Sequence, residues 1–355
     1  MPSPSPAPDL RSGTAGDLLV FRLADRARAL RAVQLRQDVR VPADQLEFTW
    51  SDGAWELLLE RPDVDRIEYL LELTGRDGST QTVPDPGNPL RAPGAFGEKS
   101  VLELPGYRRP LWLHARAPAG ERRTVRVPTR SLGEDLDIEL WSPAGLLGDR
   151  PAPLLVVHDG PEYDALAGLT TYLSAWTAAG TLPPVRAALL PPGPRNDRYS
   201  GDGAYTRALC LAVLPRLRSE VATTRIIGMG ASLGALAMLH AQRQHAGALD
   251  GLFLQSGSFF HPRHDSHERR FEQYDRVVRS VAAVLRSGGH PTPVPTVMTC
   301  GTIEENLANN RLMARALSAQ GYDVSLREVR DVHNYTAWRD ALDPWLTGLL
   351  RELSR

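Results

Sequence analysis

The chain has 355 residues, enough for one large domain or two medium ones. Its formal net charge of −1 leaves no broad basic surface for nucleic acid or anionic lipid. No apolar run approaches about 18 residues, so we predict no membrane-spanning helix and neither a nucleic-acid nor a membrane partner.

The N-terminal end and the two cysteines set further expectations. Residues 1–16 are rich in Pro and Ser and predict a disordered tail. They lack the charged start and apolar core of a secretory signal, so we expect a cytoplasmic protein. Cys210 and Cys300 are too few for a disulfide framework, and Cys300 ends an apolar run typical of a buried strand.

Residues 17–145 are predicted to form a β-sandwich domain. Alternation of apolar and polar residues on both sides of Ser51-Asp52-Gly53 indicates a hairpin, and short alternating segments continue to about residue 142. The stretch ADRARALRAVQLRQ, residues 24–37, has no helix-breaking residue and is predicted to be an amphipathic helix. Regular strands separated by turns are typical of a small sandwich.

Residues 146–355 follow a different pattern, in which apolar strands alternate with helical segments. The run APLLVVHDG predicts a buried parallel strand, and TAWRDALDPWLTGLLREL predicts a long terminal helix. Repeated strand–helix units indicate a doubly wound α/β domain with a mostly parallel sheet. In such sheets, functional residues collect at the C-terminal ends of the strands.

Between a predicted strand and a predicted helix, the sequence GMGASLGA matches the G-x-S-x-G pattern at Gly230, Ser232 and Gly234. In this context the glycines leave room for a strained turn that presents a nucleophilic serine. The helix that follows directs its first amides at the site, so the Leu233 N–H is the first candidate oxyanion donor. The alternative is a glycine turn that serves only packing.

A serine nucleophile needs a base and an orienting acid, which follow it along the chain in the order Ser, acid, His. Glu304 and Glu305 follow a predicted strand, and His333 lies between the last strand and the last helix. Taken singly, the acids could complement a helix dipole and the histidine could be a loop residue. Their joint placement with Ser232 favours a triad, with Glu304 preferred to Glu305, although spacing does not separate the two.

Several spaced motifs carry a family resemblance: HDGPEYD, GASLGALAMLH, LFLQSGSFF, CGTIEEN and HNYTAWR. With them the chain resembles the enterochelin (ferric siderophore) esterase-like branch of the esterase D-type α/β-hydrolases. The resemblance implies an α/β-hydrolase domain behind an N-terminal early-set-like β-sandwich. By position it makes Ser232 the nucleophile, Glu304 the acid and His333 the base, with no cofactor.

One departure from this family concerns the oxyanion hole. Relatives often take the second donor from the residue after the Asp-Gly or His-Gly pair, and here that residue is Pro161, which has no N–H. Gly160, Glu162 or another group would then have to donate, with Gly160 as our preferred candidate.

Candidate substrate-binding residues lie on two loops near predicted strand ends. Arg195 and Arg198 could bind an acidic or catecholate-type ligand, or they could be solvated loop residues. Asp159, Glu162 and Tyr163 border the same predicted rim.

A histidine-rich run contains His261, His264 and His267. Because Asp265 and Glu268 have the spacing of a helix capping box, we predict a helix start there and no metal site.

The sequence therefore predicts a serine carboxylesterase that acts on a small-molecule ester, and the resemblance implies that this ester is of siderophore type or a related oligoester. An acyltransferase using the same triad and a catalytically silent binding protein are the alternatives, and the oligomeric state stays open.

Overall fold

The computed structural model describes residues 7–13 and 16–355. The chain divides into two compact units, one formed by residues up to 108 together with Arg330–Thr336, the other by Arg109–Val329 with Ala337–Arg355. Part of the tail predicted over residues 1–16 lies outside the described residues, and Asp9–Gly13 within it form a strand.

Antiparallel strands make up the first unit. Its strands are β1 (Asp9–Gly13), β2 (Gly16–Ala24), β3 (Leu30–Gln37), β4 (Thr49–Ser51), β5 (Ala54–Glu60), β6 (Arg66–Gly75), β7 (Thr80–Val83), β8 (Arg91–Ala92) and β9 (Lys99–Glu103). They form one sheet in the order β1-β2-β5-β4 and another in the order β3-β6-β9-β8, with β7 paired to β6. Phe21 and Tyr69, one from each sheet, meet edge to face with ring centroids 5.1 Å apart in the core of this unit.

The amphipathic helix predicted over residues 24–37 is wrong, because this stretch contains the end of β2, a turn and strand β3. Val33 and Leu35 are buried, while Ala32 and Arg36 are exposed, which is the two-residue alternation of a strand. Pairing of β3 with the long strand β6 outweighs the helix propensity of its Ala, Leu and Arg residues.

The second unit is built on a mixed, mostly parallel sheet. Its strands are β10 (Glu121–Thr129), β11 (Glu134–Ser142), β12 (Ala152–Val157), β13 (Arg186–Leu189), β14 (Thr223–Ala231), β15 (Gly251–Gln255), β16 (Thr296–Gly301) and β17 (Val324–Val329). The strand order is β10-β11-β13-β12-β14-β15-β16-β17. The six strands β12 to β17 run parallel to one another. Every residue of β12, β13 and β15 is buried, as expected for strands covered on both faces.

The domain boundary differs from the one expected near residue 145. Strands β10 and β11, assigned by sequence to the front domain, pair antiparallel with each other, and β11 pairs with β13. Both therefore belong to the sheet of the second unit, and the chain passes from the first unit to the second between Arg108 and Arg109. Buried and exposed residues do alternate along these strands, as the sequence predicts, but this alternation does not indicate which sheet the strands join.

The helices of the chain are α1 (Gly160–Ala167), α2 (Leu169–Ala178), α3 (Arg195–Tyr199), α4 (Gly203–Ala208), α5 (Leu214–Glu220), α6 (Leu233–Gln244), α7 (Tyr274–Arg286), α8 (Leu307–Ala319), α9 (Tyr335–Asp340) and α10 (Thr347–Glu352). A π-helical turn, Leu209–Val213, joins α4 to α5. The single terminal helix expected from sequence is interrupted at Asp343, whose φ of −112° and ψ of 128° are extended, because Pro344 disfavours a helical residue before it. Across the residues that the structure describes, no helix has the length and apolar character needed to cross a membrane.

Candidate active site

Ser232 lies at a sharp turn between β14 and α6, with φ of 56° and ψ of −124°. This backbone conformation is strained for a residue with a side chain and recurs at functional sites. A Cβ added to Gly230 would lie 2.5 Å from the carbonyl group of Gly234, so only glycine permits this approach of strand and helix. The turn has the features of a nucleophile elbow.

The half-buried Ser232 is held by the last residue of β15 and by the segment that follows this strand. Its N–H donates to the Gln255 carbonyl at 2.9 Å, and its own carbonyl accepts from the Ser258 N–H at 3.1 Å. The two hydroxyl oxygens, Oγ of Ser232 and Oγ of Ser258, are 2.9 Å apart. Sequence reasoning missed Ser258, although its position just after the strand next to the elbow strand was a usable signal.

Beneath the elbow, His158 is fully buried at the end of β12. Burial, and to a smaller extent the nearby charge of Arg195, lowers the pKa of His158 to about 4. The ring is therefore neutral near pH 7, and its Nδ1–H donates to the Gly234 carbonyl at 2.9 Å. The ring also contacts Tyr199, with centroids 4.4 Å apart, so His158 ties the first turn of α6 to the strand beneath it.

Glu304 lies just after β16, and its carboxylate is fixed by donors. Its Oε1 accepts from the Ser256 hydroxyl and from the Gly301 N–H, both at 2.7 Å. The indole N–H of Trp338 donates to the same Ser256 hydroxyl at 3.0 Å. A chain of hydrogen bonds thus runs from a buried tryptophan to the half-buried carboxylate, and neither Ser256 nor Trp338 was singled out from sequence.

The neighbouring acid, Glu305, points elsewhere. Its Oε2 lies 3.1 Å from Nε2 of His267, and 44% of its side chain is exposed. The carboxylate of Glu304 is thus hydrogen-bonded at the ends of the strands, whereas that of the next residue, Glu305, lies at the surface.

The histidine-rich run differs in detail from the sequence prediction. Ser266–Arg270 form a short 3₁₀ helix after Asp265, whose side chain caps nothing and instead accepts from the His261 N–H and from the Asn309 amide. The capping box was therefore wrong, because Asn309 draws that carboxylate away.

His267, Glu268 and Glu305 present potential ligand atoms within 4.8 Å of one another. The group is largely exposed, and such surface clusters are common without an ion.

The two candidate arginines are both engaged by carboxylates. Arg195 donates from Nε to Oδ1 of the buried Asp159 and from Nη2 to its Oδ2, each at 2.9 Å, and Nη2 also lies 3.4 Å from the Ala231 carbonyl. One third of the Arg195 side chain is exposed. Arg198 is only 5% exposed and is paired with Glu134. Arg195 therefore lies beside the elbow, whereas Arg198 is buried and forms an ion pair within the fold.

The segment after β12 supplies the other predicted residues. The Gly160 N–H donates to the Leu190 carbonyl at 3.0 Å. Tyr163 is fully buried, and its hydroxyl donates to Gln255 at 2.9 Å, so it lies inside the fold rather than on a rim. Glu162 is half-buried in the first turn of α1. Leu233 is the first residue of α6, where an amide has no acceptor within the helix.

His333 is exposed and lies in the loop between β17 and α9. This loop, Arg330–Thr336, groups with the first unit, whereas Ser232 and Glu304 belong to the second. The assembly of the three residues into a triad stays a prediction.

Comparisons with known proteins converge on one group. The family model Esterase, described as "Putative esterase", matches residues 129–349. An iron(III) enterobactin esterase from Dickeya dadantii (strain 3937) is 29% identical over 229 residues, which cover 59% of this chain and 51% of that protein. The chain thus spans about half the length of this curated relative.

Solved structures agree in fold. The ferric enterobactin esterase from Salmonella typhimurium has a TM-score of 0.78 at 19% identity, covering 98% of this chain and 97% of that one. The enterobactin esterase from Shigella flexneri, solved in the presence of enterobactin, has a TM-score of 0.76 at 18% identity, covering 98% and 95%. These similarities extend over both units.

The neutral, buried state of His158 predicts a pH dependence of stability. Its pKa is about 4 in the folded protein and near 6.5 when unfolded, so the unfolded state binds the proton first as the pH falls. The free energy of unfolding should fall by about 3 kcal/mol from this group between pH 6.5 and 4. Urea titrations of a His158→Asn variant should lack this part of the slope, while a variant of the exposed His264, His264→Asn, should retain it. Parallel curves for wild type and His158→Asn would contradict the assignment.

Proposed function

Because this chain belongs to the esterase family, we propose that it is a serine carboxylesterase that works through an acyl-enzyme on Ser232. The observation that carries the proposal is the strained Ser232 backbone at a strand–helix turn that only glycine at position 230 permits. A turn that served packing alone would not need a serine in this conformation.

In the proposed mechanism, His333 removes the hydroxyl proton of Ser232 as Oγ attacks the ester carbonyl carbon. The Leu233 N–H donates to the oxyanion of the tetrahedral intermediate. When that intermediate collapses, the alkoxide leaves with the proton held by His333. Water, deprotonated by the same histidine, then releases the carboxylic acid and restores Ser232.

Chain connectivity supports His333 as the base. Val329, the last residue of β17, pairs with Gly301, and its carbonyl accepts from the Thr302 N–H at 2.7 Å. His333 follows Val329 by four residues, so its Cα lies within about 14 Å of that strand end. Glu304 follows Gly301 by three residues, so the acid and the histidine leave neighbouring strands at the same edge of the sheet.

The hydrogen bonds of Glu304 support it as the acid. Ser256 and Gly301 both donate to Oε1, which fixes the plane of the carboxylate. We assign Oε2 to the Nδ1–H of His333, where the carboxylate would select the reactive tautomer and stabilise the imidazolium. Glu305 is the weaker candidate, since its carboxylate approaches His267.

A second oxyanion donor has to come from a residue other than Pro161, which has no N–H. Gly160 can donate only if its N–H leaves the Leu190 carbonyl. The hydroxyl of Ser258 already lies within hydrogen-bonding distance of Ser232 Oγ. We assign the donor role in this contact to Ser258, which leaves the Ser232 proton directed at the base.

The substrate is proposed from the relatives, whose names specify enterobactin. An oligoester of the siderophore type is the proposed substrate class. Arg195, partly exposed beside the elbow with Asp159 and with Glu162 nearby in sequence, is the proposed contact for an acidic or catecholate group. The roles proposed for Arg198 and Tyr163 are the least supported, because both side chains are buried.

The nucleophile assignment predicts covalent labelling of Ser232. A fluorophosphonate probe should label the wild-type protein and the control Ser266→Ala, but not Ser232→Ala. Hydrolysis of p-nitrophenyl acetate should fall roughly a thousandfold or more in Ser232→Ala and in His333→Ala. If Ser232 of the folded protein stays unlabelled, the silent-binding alternative is favoured. Faster product release on adding alcohols, with transfer of acetyl to them, would favour the acyltransferase.

The acid assignment predicts different effects for two adjacent substitutions. Glu304→Gln should lower kcat for p-nitrophenyl acetate roughly a hundredfold or more, because a neutral amide does not stabilise the imidazolium. Glu305→Gln is the matched control and should stay within about twofold of wild type. The opposite pattern would assign the role to Glu305.

The contact between the two hydroxyls predicts a smaller effect. Ser258→Ala should lower kcat by about threefold to tenfold, since one hydrogen bond to the nucleophile contributes about 1 kcal/mol. Fluorophosphonate labelling should still go to completion. Ser280→Ala, which removes a serine contact with His240 on another part of the unit, should leave kcat unchanged.

A further inference from the structure

Arg66, the first residue of β6, is a buried cation in the first unit. Its side chain is 1% exposed, and Nη1 donates to Oε1 of Glu68 at 2.6 Å. Its Nη2 donates to Oδ2 of Asp331 at 2.9 Å and to Oδ1 of Asn334 at 3.1 Å. One guanidinium nitrogen thus bridges the two residues that flank the short segment containing His333.

A second set of bonds secures the start of the same loop. The Asp65 N–H donates to the Arg330 carbonyl at 2.9 Å, and Nε of Arg330 donates to Oδ1 of Asp65 at 2.9 Å. Arg330 is also paired with Asp63. Residues 63–66, which lead into β6, therefore hold Arg330 at one end of the loop while Arg66 holds Asp331 and Asn334.

The charges of these side chains favour the arrangement. Arg66 lies between two buried carboxylates, and each carboxylate would be costly to bury without it. The planar guanidinium fixes the directions of its donors, which a lysine would not do. Within the loop, Oδ1 of Asp331 accepts from the Val332 N–H at 2.8 Å, which fixes the backbone just before His333.

We propose that Arg66 is a positioning residue for His333. Arg66, Asp331 and Asn334 hold the loop so that the imidazole keeps the orientation in which it accepts the Ser232 proton. The proposal rests on the serine esterase function proposed above. It gives the first unit a part in catalysis through the order of one loop, apart from any part in substrate recognition.

A purely structural role for Arg66 makes a different prediction. If the network only stabilised the first unit, its loss would lower the melting temperature without changing kcat per folded molecule. If it positions His333, kcat should fall while KM for a small ester stays constant, because a small substrate does not depend on this loop for binding.

The test uses Arg66→Lys and Asp331→Asn in the full chain, with p-nitrophenyl acetate as substrate. Asp331→Asn keeps the shape of the side chain and leaves Arg66 its bond to Glu68, so it decides the question if Arg66→Lys does not fold. Each variant should lose at least about tenfold in kcat at unchanged KM. The double variant should lose little more than the worse single variant, because both substitutions break one bond. Fluorophosphonate labelling of Ser232 should slow in parallel and still reach completion, which shows that the elbow is intact.

Tyr69→Phe is the matched control. Tyr69 lies on the same strand, is buried, and donates from its hydroxyl to Asp85 at 2.7 Å, a network apart from the loop. It should lower the melting temperature and leave kcat unchanged. Wild-type kcat in Asp331→Asn, or an equal loss in Tyr69→Phe, would overturn the proposal. An active His333→Ala would instead overturn the proposed function itself, so the two failures are distinguishable.

Discussion

The contact between Gly230 and Gly234 is the constraint on which the rest of the site depends. With no side chain at position 230, β14 can turn directly into α6, and the residue between them must adopt a positive φ. The same turn places the Leu233 amide at the start of a helix, where the backbone dipoles favour negative charge. It also leaves the Ser232 N–H without a helical acceptor, and the end of β15 accepts from it. The order of neighbouring strands therefore determines which side chains lie beside the serine.

The edge of the sheet beyond the elbow is polar but extensively bonded. Gln255 accepts from Tyr163 and donates to Thr299 and to the Trp338 carbonyl. Ser256 relays the Trp338 indole to Glu304. Buried groups of this kind are costly when unpaired, so satisfied partners hold each one in a single orientation. This polar layer, at the C-terminal ends of largely apolar strands, thus orients Glu304 and the groups beside Ser232.

Much of the second unit was predictable because its buried strands β12, β13 and β15 are mainly apolar, and because the elbow has a local sequence pattern. The errors have physical causes. Strand β3 consists of good helix formers and becomes a strand by pairing with β6, which no local signal shows. The sequence of β10 and β11 predicts two paired strands, but the same pattern would be found whichever domain the pair belonged to. Spacing alone also did not separate Glu304 from Glu305, because the Ser256 hydroxyl that donates to Glu304 lies just after a different strand, β15.

The loop that carries His333 depends on contacts between residues that are far apart in the sequence, which local sequence patterns do not indicate. Arg66 and Asp331 are 265 positions apart, and neither has a local pattern that indicates a partner. Removing one partner of a buried guanidinium–carboxylate pair leaves the other charge uncompensated, so the bonds of this network support one another. Folding of the first unit and ordering of the loop are therefore coupled in free energy. The conformation of the loop around His333, which lies among the hydrolase motifs in sequence, thus depends on strand β6 in the N-terminal part of the chain.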